Sequence, residues 1–215
     1  MIKVLENFTT FSLLSFYPIH HRYKSTNKFQ PMKQKAFFLD RDGTLNVDYN
    51  YVHTKEEWTW CDGAVEALKL IQSSGFRIIV VTNQSGIARE RYTEEQVKEL
   101  HRWVDDQLKE EGVKIDGWYM APHHPEHDPE PHSWPPEDRK PDTGMFEKAA
   151  DRFDIDFSQS CMAGDKITDL KPAVTLGMTP FFIRSRHEPN QDKEWLKKHN
   201  IKTYDTLLEA VKQMM

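Results

Sequence analysis

The sequence predicts an α/β fold: a three-layer sandwich with a mostly parallel sheet between helices. Three observations predict it. Short, wholly apolar runs alternate with longer amphipathic segments along the chain. The apolar runs lack an in–out alternation, so both of their faces are buried, as in parallel strands covered by helices on each side. The chain of 215 residues is long enough for one compact domain of this kind, and it shows no repeat and no second hydrophobic block.

The elements follow in order. "KAFFLD" (Lys35 to Asp40) is an apolar run ending in charge, a buried strand. "GAVEALKLIQSSG" sets Ala64, Leu68 and Ile71 on one helical face, and Gly75 closes it. "RIIVVT" (Arg77 to Thr82) is a second buried strand. "TEEQVKELHRWVDDQLKEEG" opens with a capping box, Thr93 with Gln96. Its stripe is Val97, Leu100, Val104 and Leu108, and Gly112 ends it. "IDGWYM" (Ile115 to Met120) is a third strand. A helix from about Gly144, a strand at "SCMAGD", a helix ending near Gly177 and a strand at "TPFFIR" come next. Helical stretches "QDKEWLKKH" and "DTLLEAVKQM" complete the chain. In such a sheet the ligand lies at the carboxyl ends of the strands.

Composition excludes several functions. Hydrophobic residues make up 38% and charged residues 29%, a real core under a polar surface. The net charge is −5 with no basic stripe, which argues against nucleic-acid binding. Cys61 and Cys161 are too few and too far apart for a disulfide framework, which fits a cytoplasmic location. No apolar run is long enough to span a membrane. Residues 1–31 differ from the rest: "FTTFSLLSFYP" lacks the basic start, longer apolar core and cleavage site of a signal peptide. They are expected to be a disordered extension or a start assigned too early, with the domain over 32–215 and Met32 as the true start.

Four strand ends carry the chemistry. The first gives "DRDGT", with Asp40, Asp42, Gly43 and Thr44; the second gives "TNQSG", with Thr82, Asn83, Gln84, Ser85 and Gly86. The proline-rich loop delivers Arg139 and Lys140, and the last end gives "GDKITD", with Gly164, Asp165, Lys166 and Asp169. Each piece alone is ordinary: a cap, a turn residue or a solvated lysine. Together, carboxylates converging on one crevice repel one another unless a cation binds, and oxygen ligands suit Mg²⁺. A hydroxyl and an ammonium beside that cation suit a phosphoryl group. A carboxylate there can attack phosphorus, and a second one two residues on can move protons.

"FLDRDGTLN", "VVTNQSGIARE", "RKPDTGMF" and "GDKITDL" resemble the four motifs of the haloacid dehalogenase-like phosphatases. "NVDYNYVH" and "APHHP" are also similar to the branch of D-glycero-D-manno-heptose-1,7-bisphosphate phosphatases and their histidinol-phosphatase cousins. The resemblance runs from about Lys35 to Arg184. It implies a Rossmann-like fold of the capless type, since no large insertion follows the first motif. It further implies Asp40 as nucleophile, Asp42 as general acid/base, and Thr82 and Lys140 as holders of the transferring phosphoryl group. Mg²⁺ would be bound by Asp40, the backbone carbonyl of Asp42, and Asp165. Asp48 to Tyr51, Asn83, Gln84, Ser85, Arg139 and Lys166 match positions that contact substrate in the branch. The implied substrate is a small sugar bisphosphate, D-glycero-D-manno-heptose 1,7-bisphosphate cleaved at C7, on a monomeric enzyme. Histidinol phosphate is the alternative. A phosphorelay receiver, also with Asp, Thr and Lys at strand ends, is a remote one that would lack the second Asp of "DRDGT".

The stretch "APHHPEHDPEPHSWPPEDRKP" (Ala121 to Pro141) holds four of the ten histidines and seven of the twelve prolines. Relatives in the branch carry structural zinc here, in a pattern C-x-H, a spacer, then C-x-C directly before R-K-P. Those positions are Ala121, His123, Pro136 and Asp138 in this chain, so every thiolate is gone. His123, His124, His127, His132 and Asp138 fit no structural-zinc spacing. Zinc is therefore not expected, and the loop is expected to be held by proline stiffness and the packing of Trp134.

Overall fold

The computed structural model describes residues 33–127, 135–185 and 192–215. Its strands are β1 (Ala36–Leu39), β2 (Arg77–Asn83), β3 (Gly117–Ala121), β4 (Cys161–Gly164), β5 (Thr179–Ile183) and β6 (Thr203–Tyr204). They form one sheet in the order β3-β2-β1-β4-β5-β6, with every neighbouring pair parallel. The helices are α1 (Ala64–Ser73), α2 (Glu94–Glu110), α3 (Gly144–Phe153), α4 (Ile167–Leu176), α5 (Asp192–Lys198) and α6 (Leu207–Met214).

The pleat sorts alternate residues into two apolar layers. Phe37, Leu39, Ile78 and Val80 join Leu68 and Ile71 of α1, Leu100, Val104 and Leu108 of α2, and Leu207 and Val211 of α6. Phe38, Ile79, Val81 and Met162 join Met145 and Phe146 of α3, Leu170 of α4 and Leu196 of α5. Phe37 and Phe38 have no exposed surface, so truncating either to Ala would cost about 3–5 kcal/mol.

The capping box of α2 forms as expected: the Thr93 hydroxyl accepts from Gln96 N–H at 3.2 Å, and the Gln96 side chain accepts from Thr93 N–H at 2.8 Å. The stripe of α2 is buried and also takes in His101, which stacks on Trp118 with ring centroids 4.0 Å apart. β6 was not expected. Its two residues are too short for a periodicity and become a strand only by pairing with Phe182 and Ile183. The expectation for residues 1–31, and those for His132 and Trp134, fall outside the described residues. Among the described residues no helix is long and apolar enough to cross a membrane.

The sheet order sets the location of the site. From β1 the chain winds outward through β2 to β3, then returns to place β4 on the other side of β1. Connections diverge at this point, and a crevice opens at the carboxyl ends of β1 and β4.

Candidate active site

Asp40 is the first residue past β1, and its N–H donates to the Ala163 carbonyl at 2.9 Å. The chain then curls back, because the N–H groups of Leu45 and Asn46 both donate to the Arg41 carbonyl, at 2.9 and 3.1 Å. Gly43 takes φ +86° in this turn, and a Cβ there would collide with the Asp165 carboxylate. Only glycine admits both the turn and the acid beside it.

The turn returns Asp42 to the crevice, where donors surround it. Arg41 Nη2 donates to its two oxygens at 3.0 and 2.9 Å, Asn46 Nδ2 to Oδ1 at 2.9 Å, and Gln84 Nε2 to Oδ2 at 3.0 Å. Arg41 is fully buried and also donates to the Val52 carbonyl at 2.5 Å. Burial raises the Asp42 pKa, but the Arg41 charge and these hydrogen bonds outweigh it and hold the carboxyl below its ordinary range. Asp40 is treated oppositely. Burial and the Asp169 charge push it up to about 6, against the pull of Lys140.

Lys140 is buried at the centre. Its ammonium donates to Asp40 Oδ1 at 2.7 Å and to the Val81 carbonyl at 2.7 Å, and lies 2.8 Å from Asp169 Oδ1. Its main chain is clamped by Asn83, whose Nδ2 donates to the Lys140 carbonyl at 3.0 Å and whose Oδ1 accepts its N–H at 3.1 Å. Thr82, 1% exposed at the end of β2, faces the same crevice.

Oxygens of Asp40, Asp165 and Asp169 all lie within 4.8 Å of one another. They are not equally available. Asp169 meets Lys140 with Oδ1 and accepts the Lys166 N–H with Oδ2 at 2.9 Å. Asp165 is fully buried, with Lys166 Nζ 3.9 Å from its Oδ1 and the Ser185 side chain as a further partner. Burial first, then the Asp169 and Asp40 charges against Lys166, push it up to about 8. A buried acid with its oxygens within 4.8 Å of a second carboxylate is a donor set that fits a hard divalent cation.

The rim contains Asp48, Asn50, Tyr51, Asn83, Gln84, Ser85, Tyr92, Lys166 and Thr168. Lys166 Nζ lies 3.4 Å from Asp48 Oδ2. All the sequence-predicted substrate residues but Tyr49 and Arg139 line the crevice. Arg139 Nη1 donates to the His123 carbonyl at 2.9 Å, toward the histidine-rich loop. Asp169, Arg41 and Tyr92 are among the residues of the site that had no role from sequence. Asp169 was noted at its strand end but not paired with Lys140. Arg41 stood inside "DRDGT", where a cation next to an apolar strand should have suggested a buried partner. Tyr92 carried no local signal, since its contact with Gln84 depends on the folded turn between them.

Of the relatives' zinc positions, Ala121 is fully buried and cannot ligate. Asp138 Oδ2 takes Lys148 Nζ at 2.5 Å. His123 is 6% exposed, and neither ring nitrogen has a partner. A different trio, His124, Glu126 and His127, brings donor atoms within 4.8 Å of one another. There, however, His124 Nε2 faces Arg89 Nη2 at 3.2 Å and Nδ1 accepts the Glu126 N–H at 3.2 Å. Among the described residues, neither group is a closed tetrahedral set of the kind structural zinc takes.

Comparison with known proteins gives consistent neighbours. The profile of the family described as Polynucleotide kinase 3 phosphatase matches residues 35–203. A D-glycero-beta-D-manno-heptose-1,7-bisphosphate 7-phosphatase from Haemophilus ducreyi is 46% identical over 72% of this chain and 85% of its own. The protein of the same name from Escherichia coli K12 is 42% identical over 70% of this chain and 79% of its own. Among solved structures, the D,D-heptose 1,7-bisphosphate phosphatase of B. bronchiseptica, complexed with magnesium and phosphate, superposes with a TM-score of 0.71 at 26% identity, covering 84% of this chain and 98% of that one.

Proposed function

Because the chain belongs to the haloacid dehalogenase-like phosphatases, in the branch of D-glycero-D-manno-heptose-1,7-bisphosphate phosphatases and histidinol phosphatases, we propose that it is a Mg²⁺-dependent phosphatase that removes the C7 phosphate of D-glycero-D-manno-heptose 1,7-bisphosphate. The observation that carries the site assignment is the Lys140 ammonium set between Asp40 and Asp169, at 2.7 and 2.8 Å, beside the buried Asp165. It supports a crevice that binds an anion at the head of a nucleophilic carboxylate.

Asp40 attacks phosphorus with a carboxylate oxygen, and the bond from phosphorus to the sugar oxygen breaks. Asp42 gives its proton to that leaving oxygen. Lys140 and the Thr82 hydroxyl hold the phosphoryl oxygens during transfer. Asp42, now ionised, takes a proton from water, whose oxygen attacks the aspartyl-phosphate; Asp40 and inorganic phosphate are released. Its donors from Arg41, Asn46 and Gln84 favour the ionised form needed in this second half. Asp40, Asp165 and the backbone carbonyl of Asp42 would hold Mg²⁺, which when bound neutralises charge on the transferring phosphoryl group. Asp48, Tyr51, Ser85 and Lys166 line the rim where the sugar and its second phosphate would lie, with Arg139 behind the loop.

A small ester is preferred over a polymer because the net charge is −5 and the crevice is lined by Asp40, Asp42, Asp48 and Asp169. The protein is proposed to act as a cytoplasmic monomer, without zinc, through the domain over 32–215. The test is phosphate release with Mg²⁺ from heptose bisphosphate, fructose bisphosphate, histidinol phosphate and a 3′-phosphorylated oligonucleotide. Heptose bisphosphate should give the highest kcat/KM. Preference for histidinol phosphate or for the oligonucleotide would overturn the substrate assignment.

A further inference from the structure

We propose that Gln84 and Tyr92 are positioning residues of the reaction: Tyr92 holds the Gln84 amide so that it donates at once to Thr82 and to Asp42. This rests on the phosphatase assignment above and deepens it, by tying the phosphate-holding hydroxyl to the proton-transfer carboxylate through one side chain.

The hydrogen bonds of Gln84 leave little freedom. It is 1% exposed, and its main-chain N–H donates to the Ala121 carbonyl at 2.8 Å. Its Nε2 donates to Thr82 Oγ1 at 2.8 Å and to Asp42 Oδ2 at 3.0 Å. Its Oε1 accepts from the Tyr92 hydroxyl at 2.7 Å. Both amide protons and the carbonyl are therefore engaged within the protein, so the side chain serves its neighbours rather than the substrate. The direction is also set. The Tyr92 hydroxyl on Oε1 turns the NH₂ group toward Thr82 and Asp42.

Tyr92 is built to remain there. It is 6% exposed, and its ring stacks on His53 with centroids 4.8 Å apart. A Cβ on Gly86 would collide with the Tyr92 ring, so the chain leaves that side chain out where the tyrosine seats. Burial pushes the phenol up to about 12, so its proton stays on as a donor.

Two consequences follow for catalysis. Thr82 Oγ1 accepts from Gln84, so its one O–H proton is left for an acceptor in the crevice, as a phosphoryl oxygen requires. Asp42 Oδ2 is held on the Thr82 side, so the proton carrier and the phosphate holder keep a fixed spacing. Losing such orientation costs rate more than binding.

The experiment compares wild type, Gln84→Met and Tyr92→Phe on a sugar phosphate and on an aryl phosphate with a good leaving group, with Mg²⁺ present. Gln84→Met keeps the volume and removes the hydrogen bonds; it should lower kcat on the sugar phosphate about 10- to 100-fold with KM changed less than about threefold. Tyr92→Phe should lose about two- to tenfold in kcat. For both, the loss in kcat/KM should be several-fold smaller on the aryl ester, which needs little proton donation. A purely structural role would lower the melting temperature and reduce both esters equally, and that result overturns the proposal. So do undiminished variants of an active wild type. A wild type that releases phosphate from neither ester overturns the phosphatase assignment itself.

Discussion

Lys140 and Asp40 are one hundred residues apart in the chain, yet the Lys140 ammonium donates to Asp40 Oδ1 at 2.7 Å, with both side chains buried. Asp40→Asn removes the nucleophile but leaves Lys140 paired with Asp169. It should release no phosphate and melt close to wild type. Lys140→Met is different, since it strands Asp40 and Asp169 without a cation and should cost about 3–5 kcal/mol of stability. A folded Asp40→Asn variant with near-normal turnover would refute covalent catalysis at this residue.

Asp42→Asn should lower kcat/KM on a sugar phosphate by about 10²- to 10⁴-fold, the range of general acid–base catalysis. The deficit should shrink on an aryl phosphate. Equal deficits on the two esters would remove the acid role from Asp42.

Stability should couple to both pH and Mg²⁺. In metal-free protein the folded pKa is about 8 for Asp165 and about 6 for Asp40, against an ordinary 3.8. At these two groups the folded state thus binds more protons than the unfolded one, and their contribution to stability falls as pH rises through this window. Mg²⁺ replaces those protons, so its stabilisation should grow over the same window. At about 100 times its Kd, Mg²⁺ should raise Tm by about 5–10 °C near pH 8, and by clearly less near pH 5. Thermal melts with and without Mg²⁺ across this range check it; a Mg²⁺ effect independent of pH would contradict it.

Elemental analysis of protein purified without a histidine tag should find no stoichiometric zinc. Ala121 and Pro136 cannot ligate metal, Asp138 is engaged by Lys148, and His124 faces Arg89. Chelation should abolish activity only by removing Mg²⁺, and Mg²⁺ alone should restore it. One tightly held zinc per chain, or recovery that needs zinc as well, would show that the histidines have rebuilt a site.

Much of this protein was legible in its sequence because the signals are local. The apolar runs around Phe38 and Val80 read as strands buried on both faces, and Thr93 with Gln96 as a helix start, and the structure has both. Asp40, Asp42, Thr82 and Asp165 were readable as a set because each lies at or next to the end of an apolar run, and Lys140 because it stands in the R-K-P of the proline-rich loop. The sheet order then delivers such ends to one crevice. Tertiary structure decided what no run or spacing encodes: which carboxylate meets which donor. It gave Asp169 both the Lys140 ammonium and the Lys166 N–H, while the nearest ammonium to Asp165 stands 3.9 Å off. It turned Arg41 inward onto Asp42, pointed Arg139 at the His123 carbonyl instead of the crevice, and seated Tyr92 on Gln84. The physical reason is that burial makes an ionisable or hydrogen-bonding group depend on its few nearest partners. Those partners come from strands and loops up to a hundred residues apart, and only the packed fold selects them.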